Sequence, residues 1–385
     1  METELIENLS IPEPNGKEST TYLTHNFHTY PAKFIPQIPR ATIRLFTNEG
    51  DTVLDPFGGC GTTLVEAKLS NRKGIGVDIN PIAVLVSRSK TTKLTKIQLD
   101  SIKYLLFNIK QDIKRYYKNE KLKIDYSIPE FNNINHWFEE KVKHELAIIK
   151  AYIDSIKDDK LKNYLFTAFS SIIVTVSNQE SDTRFAAIKK NIKPFRVFFE
   201  FSNRLEKMQE RILGFSEIAS NSKIEVYQKD SRDLSFLKDN SIDHIVTSPP
   251  YANTYDYYLY HKFRIFWLGY DVKRVQDNEI GSRNSHSSKK EGIETFENHL
   301  NLCFKEMRRV LKPKKYAVIV IGDSVIRGNL IKADELLKEI AKKNNFSLVR
   351  KISYNLSKNS RMFNPRFTNK DKEEHVLFFV NEKRD

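Results

Sequence analysis

The chain is poor in the residues that build disulfide frameworks, metal knuckles and linkers. Of its 385 residues only two are cysteines, Cys60 and Cys303. Two thiols exclude a disulfide scaffold and a cysteine-ligated zinc site, and they suit a reducing, cytoplasmic location. Thirteen glycines and thirteen prolines are too few for a collagen-like or linker-dominated chain. No uninterrupted apolar run reaches the roughly 18 residues of a membrane span, and the acidic, polar opening lacks a signal-peptide pattern. Acidic residues are outnumbered as well: 63 Lys and Arg against 49 Asp and Glu give a net charge of +14, which points to a polyanionic partner such as nucleic acid. What is plentiful is core material, 39% hydrophobic and 11% aromatic. The length exceeds the roughly 100–200 residues of one domain and predicts two domains, or one carrying a large insertion.

Between Thr52 and Ser89 the pattern is strand (TVLDPF), glycine-rich turn, helix, strand (GIGVDIN), helix, which is a βαβ unit. A second alternating block starts at Ile224. It reads as strands IEVYQKD and DHIVTSPPY, helices around 255–268 and 296–311, strand YAVIVIGD, helix Ala333–Lys343, and strands near Phe346–Tyr354 and His375–Val380. The seven strands predict an α/β fold with one open, mostly parallel, doubly wound sheet, built from residues 1–95 and 223–385. Residues 96–222 carry amphipathic helical patterning and predict an all-helical insert, a candidate DNA-recognition or clamp domain. Within it Leu161–Ser177 is the most apolar stretch, but Lys162, Asn163 and several Ser and Thr interrupt it, so a buried central helix is expected. Gly281–Gly292 has the Ser, Gly and charge content of a mobile loop.

Asp55-Pro56-Phe57-Gly58-Gly59-Cys60-Gly61-Thr62-Thr63 follows a strand and opens a helix. Glycines there let a ligand approach the backbone, and a helix N-terminus offers free N–H groups. No Gly-Lys-Ser/Thr follows, which disfavours a P-loop, and Leu64 stands where a dinucleotide fingerprint needs its third glycine. A nucleotide-like cofactor other than NTP or NAD is implied. Asp78, about 20 residues on, sits where a carboxylate accepts ribose hydroxyls. Asp230, ending the next strand after the insert, is placed to bond an adenine amino group. Singly these are a tight turn and helix caps; together, on successive strand ends, they point to a site.

Ser248-Pro249-Pro250-Tyr251 follows the apolar strand HIVT, again at the carboxyl edge of the sheet. Two prolines remove two N–H donors and stiffen the chain, leaving fixed carbonyl acceptors. In isolation this is a rigid strand exit.

DPFGGCGTT, GVDINP and TSPPY together resemble the S-adenosylmethionine-dependent DNA amino-methyltransferases. The opening serine of the last motif resembles the cytosine-N4 enzymes, where Asp or Asn is more typical of adenine-N6 enzymes. The likeness extends to HNFHTYPAKFIPQIPR (25–40) and YDYYLYHKFRIFWLG (255–269). One departure is that the insert precedes the Asp230 strand. The resemblance implies a Rossmann-like methyltransferase sheet and S-adenosylmethionine as cofactor. Asp55, Phe57, Gly59, Gly61 and Thr62 would lie around its methionine part, closed by Lys33 and Phe34, with Asp78 on the ribose and Asp230 near the adenine. It implies that the Ser248 hydroxyl and the Pro249 carbonyl accept from the target amine, Pro250 stiffens the turn, and Tyr251 stacks on the base, with Tyr255, Tyr257 and Tyr258 as further walls. Double-stranded DNA with an extruded base would be the substrate, and a cognate restriction endonuclease a partner. Adenine-N6 methylation, RNA base methylation and a silent nucleic-acid binder are the competing readings.

Ring-carbon methylation needs a cysteine nucleophile, and neither cysteine follows a proline in a catalytic loop. His261 and His286 lack partners at zinc spacing, so no metal is expected. Two stretches are strongly basic: Arg184–Arg211, with eight basic and three acidic residues, and Arg350–Lys372, with seven and one. In the second, Phe363 and Phe367 interleave with Arg361 and Arg366, as on a phosphate-tracking surface.

Overall fold

The computed structural model describes residues 19–283, 292–326, 328–355 and 372–383. A seven-stranded sheet runs through the molecule in the order β10-β11-β7-β6-β1-β2-β5. The strands are β1 (Thr52–Asp55), β2 (Lys73–Asp78), β5 (Ile224–Gln228), β6 (Ile242–Thr247), β7 (Leu311–Gly322), β10 (Phe346–Asn355) and β11 (Glu373–Asn381), while β8 (Ser324–Ile326) and β9 (Asn329–Ile331) pair as a separate hairpin. Contacts β1–β2, β1–β6, β2–β5 and β6–β7 are parallel, whereas β11 is antiparallel to both neighbours, so it alone runs backwards. All seven expected strands are present and pair as one open sheet.

The helices are α1 (Gln37–Phe46), α2 (Thr62–Leu69), α3 (Pro81–Thr91), α4 (Lys96–Tyr117), α5 (Ile134–Trp137), α6 (Glu140–Asp154), α7 (Asp159–Val176), α8 (Arg196–Ile218), α9 (Tyr257–Trp267), α10 (Val272–Asn278), α11 (Ile293–Val310) and α12 (Ala333–Lys343). Strand periodicity of two divides the core into two faces. Leu54, Ile245, Ile319 and Ile321 pack with Phe304 and Met307 of α11 on one side. Their chain neighbours Val53, Val246, Val318 and Val320 pack with Ile38 and Ile43 of α1 on the other. Strand β6 is buried along its whole length, the burial expected of a central strand covered on both faces.

The insert begins where Thr95 and Gln98 form a reciprocal capping box at the start of α4. Helices α4, α6, α7 and α8 enclose their own core around Ile109, Leu146, Leu165, Phe169 and Phe201. As expected, the most apolar segment forms the buried helix α7, capped by Asp158. The insert is not all-helical. Strands β3 (Gln179–Ser181) and β4 (Arg184–Ala187) form a hairpin. Its turn holds Asp182, whose carboxylate pairs with the fully buried Arg264 guanidinium of α9. A buried charge without a partner is costly, and that pairing favours the reversal over a continued helix. Phe27, Val65, Phe263 and Trp267, from outside the insert, share its core. Among the described residues no helix is long and apolar enough to cross a membrane.

Of the expected mobile loop, Gly281 and Ser282 are buried, and the Gly281 carbonyl accepts the Asn253 N–H at 2.9 Å. Residues 284–291, including His286, lie outside the described residues.

Candidate active site

The sheet changes direction between β1 and β6: β2 and β5 extend one way, β7, β11 and β10 the other. A crevice opens at the carboxyl ends of strands at such a point. Asp55 ends β1 and Thr247 ends β6, and the Thr247 hydroxyl donates to Asp55 Oδ1 at 2.5 Å. The Phe57 N–H donates to the same oxygen at 3.1 Å, while Asp55 Oδ2 is buried without a protein partner. Burial pushes the Asp55 carboxyl up to about 6, against the downward pull of the Thr247 and Thr63 hydroxyls and the Phe57 N–H.

The glycine turn wraps the end of β2. Gly58 N–H donates to the Val77 carbonyl and Gly59 N–H to Asp78 Oδ2, both at 2.8 Å. The Asn80 N–H holds the other Asp78 oxygen at 2.8 Å, and Asn80 itself caps α3. Desolvation raises Asp78 to about 6. Gly61, at φ +77°, enters α2 with no side chain to cap it, so the first-turn N–H groups beside Thr62 are left to solvent or ligand. A Cβ on Gly61 would fall 2.8 Å from Ser87 Oγ.

One pocket gathers most of the residues singled out from sequence. Lys33 and Phe34 close one side; Phe57, Gly59 and Thr62 form the glycine-turn wall; Asp78 and Asp230 stand beyond; Ser248 and Pro250 complete it. Asp55 and Gly61 support that wall from behind, and Pro249 and Tyr251 do not line it. Tyr251 instead packs partly against the core, with its hydroxyl donating to Glu374 Oε1 of β11 at 2.8 Å. Of the proposed aromatic walls, Tyr257 lines the pocket, Tyr255 sits beside it with ring centroids 5.7 Å apart, and Tyr258 is buried in a cluster with Cys60 and Val275 without lining the pocket itself. Asp230 lies two residues past the end of β5 rather than ending it, and Arg232 engages both its oxygens. Three bonds to a local guanidinium draw the aspartate out of the strand.

Sequence reasoning missed Tyr30, Cys60, Ser231 and Glu279 as lining residues. Tyr30, three residues before Lys33, stacks on the buried His261 at 4.8 Å; the alternating aromatics of HNFHTYPAKF were the available signal. Burial would raise the Cys60 thiol, but the Lys90 and Lys33 ammoniums outweigh it and lower the pKa. Glu279 accepts the Tyr257 N–H at 2.6 Å and the Tyr258 N–H at 3.3 Å, capping α9. Desolvation, helped by Asp256 and Asp78, pushes its carboxyl up to about 8.

These residues fit S-adenosylmethionine. Asp78 offers carboxylate acceptors to hydroxyls, the apolar walls of Phe34, Phe57, Val275 and Ile280 suit a flat ring, and an uncapped helix end with Lys33 faces an anionic tail.

The basic stretch 184–211 is partly consumed by the protein itself. Arg184 pairs with Glu180 at 2.9 Å, Arg196 with Glu200, Lys190 donates to the Val174 carbonyl at 2.8 Å, and Arg211 to the Thr21 carbonyl. In the second stretch, residues 356–371, with Arg361, Phe363, Arg366 and Phe367, lie outside the described residues.

A family model described as a DNA methylase, of the N6/N4 methyltransferase type, matches residues 7–88 and 242–385, on either side of the insert. The type II methyltransferase M.MvaI of Kocuria varians is 28% identical over 390 residues, covering 87% of this chain and 85% of that protein. The type II methyltransferase M.MjaII of Methanocaldococcus jannaschii is 25% identical over 425 residues, covering 87% and 77%. A solved SAM-dependent methyltransferase from Methanosarcina mazei aligns over 92% of this chain and 98% of its own, with 11% identity and a TM-score of 0.35. With more than half of its residues matched by the family model, this chain belongs to the N6/N4 DNA methylases, which take their methyl group from S-adenosylmethionine.

Proposed function

We propose that this chain is a type II modification methyltransferase that methylates the exocyclic N4 amine of cytosine in duplex DNA, in partnership with a restriction endonuclease. The observation that carries the reading is the shared pocket: Ser248 and Pro250 face the same space as Phe57, Gly59 and Asp78 at the switch point of the sheet. The serine that opens the four-residue motif supports cytosine, and the names of the two relatives support the modification role.

Bound S-adenosylmethionine would supply an electrophilic methyl group; its transfer to the amine nitrogen would break the sulfur–methyl bond, leave the neutral thioether, and release the surplus amine proton to solvent. An exocyclic amine is a poor nucleophile because its lone pair is delocalised into the ring. Acceptors that draw on both N–H bonds return electron density to nitrogen; the Ser248 hydroxyl oxygen and the Pro249 carbonyl take that role. Pro250 keeps the carbonyl fixed, so no reorganisation is needed during transfer. Asp55, Phe57, Gly59, Gly61 and Thr62 hold the methionine end with Lys33 and Phe34, and Asp78 holds the ribose. Asp230 meets the adenine through the lone pairs that Arg232 leaves. Tyr257 flanks the extruded base, whose unstacking costs a few kcal/mol. Residues 1–95 with 223–385 form the catalytic domain, and 96–222 the DNA-facing clamp.

Nucleoside mass spectrometry of DNA from cells expressing the protein tests this. N4-methylcytosine is expected; N6-methyladenine would replace the substrate assignment, and unmodified DNA would overturn the reading.

A further inference from the structure

Residues 19–36 form a strap that reaches the pocket with little regular structure of its own, a 3-10 turn at Leu23–Asn26 before α1 begins. Yet Tyr30, Ala32, Lys33 and Phe34 from its second half line the pocket. Ala32 stands in the left-handed region, at φ +53°, a conformation that costs a residue with a Cβ. With neither a helix nor a ladder to fix it, such a segment keeps one path only where its side chains and carbonyls are anchored.

The insert supplies anchors at both ends of the 3-10 turn. Phe27 is fully buried in the insert core, edge-on to Tyr164 of α7 with ring centroids 5.9 Å apart. His28 Nε2 meets the Ser170 hydroxyl of α7 at 3.0 Å, both side chains being buried. His28 Nδ1 lies 2.7 Å from the Thr29 carbonyl, which can only accept, so Nδ1 carries the proton. Burial, with Arg264 and His261 nearby, holds the imidazole pKa well below its ordinary value. The neutral ring therefore takes the Ser170 proton on Nε2. Before the turn, Arg211 of α8 donates to the Thr21 carbonyl and, at 3.4 Å, to the Leu23 carbonyl. The catalytic domain holds the strap from the other side. Glu66 of α2 accepts from the Tyr22 hydroxyl and meets His25 Nε2 at 2.7 Å, and Gln37 of α1 donates to the Ser19 carbonyl at 3.2 Å.

We infer that the insert completes the methyl-donor site, with Ser170 and Arg211 as positioning residues that fix the strap and so present Tyr30, Lys33 and Phe34 to the cofactor. Only Thr29 separates the His28 anchor from Tyr30, so slack at Ser170 passes straight to the pocket wall. A strap that has come away must be ordered again when the cofactor binds. Apparent affinity then falls with the fraction of molecules whose strap is in place. This role is separate from contact with DNA and acts before any DNA is bound. The inference rests on the pocket being the S-adenosylmethionine site.

The test is calorimetric titration of the full-length protein with S-adenosylmethionine in the absence of DNA, with hydrogen exchange of the strap and of α6 measured in parallel. Ser170→Ala combined with Arg211→Met removes both side-chain bonds from the insert and leaves the sequence of the strap intact. That variant is expected to weaken binding by about threefold to thirtyfold and to speed exchange over 19–36 by about tenfold, while α6 in the insert core exchanges as in wild type. Ser170→Thr in the same Arg211→Met background keeps the hydroxyl and should recover most of the Ser170→Ala contribution. Binding within about twofold of wild type in the Ala and Met double variant would overturn the inference. So would a Thr variant as weak as its Ala counterpart, or a loss of affinity accompanied by equal loosening of α6, which would mark general destabilisation. Asp78→Asn separates the two levels. If it weakens binding while the double variant does not, only the strap role falls; if it too leaves binding unchanged, the reading of the pocket falls as well.

Discussion

Glu279 offers a sharp physical test because its cost and its cap are separable. Its carboxyl accepts two backbone N–H groups at the start of α9, yet desolvation in the pocket wall pushes it up to about 8 from an ordinary 4.5. A carboxyl raised on folding binds its proton more tightly in the folded state. Its contribution to stability is therefore complete below pH 4.5 and is lost as pH climbs through 8. One pKa unit corresponds to roughly 1.4 kcal/mol, so the ceiling on that loss is on the order of 5 kcal/mol. Glu279 is only half-buried and is open to water in the cofactor-free pocket; with that screening about 2 kcal/mol is expected. Glu279→Gln keeps a carbonyl oxygen for the cap and removes the titration. Urea denaturation of the cofactor-free protein at half-unit steps from pH 5 to 9 should show the variant gaining on wild type as pH rises. Asp55, raised to about 6, tilts the two curves alike and cancels in the difference. Two parallel curves across the window would refute the reasoning.

Asp78→Asn should weaken S-adenosylmethionine binding about tenfold to a hundredfold by calorimetry, since a carboxylate acceptor is worth more than an amide; an unchanged constant removes Asp78 from the ribose. Cys60, lowered by Lys90 and Lys33 and set in the pocket wall, should react with a small thiol reagent below the usual thiol pH range and be protected by the cofactor. Lys90→Met should move the midpoint of that reaction upward, and an unmoved midpoint would show that the ammonium does not act on the thiol. Gly61→Ala, at φ +77° with its Cβ 2.9 Å from Ser87 Cα, should cost about 3 kcal/mol in urea denaturation. A loss within experimental error would mean that α3 yields to the methyl group.

The legible parts of this molecule are those whose signals are local. The strand pairs Val53/Leu54 and Ile245/Val246 announce themselves as apolar runs ending in polar residues, and the glycine turn carries its ligand-facing geometry in nine consecutive positions. That is why Phe57, Gly59, Thr62, Asp78 and Ser248 were found and do share one pocket. The illegible parts are made by long-range partners. Glu279 follows no motif, and its role is set by N–H groups more than 20 residues earlier in the chain. The β3–β4 hairpin is fixed by Arg264, whose own burial no local pattern reveals. Tyr251 was readable as a motif tyrosine, but the direction of its hydroxyl depends on a strand 123 residues away. Asp230 is a different failure: the captor was two residues on, and a strand-end aspartate beside an arginine can be read as an ion pair from sequence.

The pairing of β1 with β6 ties Val53 to His244 and Leu54 to Ile245, with the whole insert threaded between the partners. Contacts of such high sequence separation close late, since loop entropy must be met first. A nascent chain that has only just released its helical segment from the ribosome therefore owns the donor turn and lacks the acceptor wall. Fragments ending before Ile242 should bind the methyl donor poorly, and methylation capacity should arrive in one step once the second half docks, so that activity tracks completed chains only.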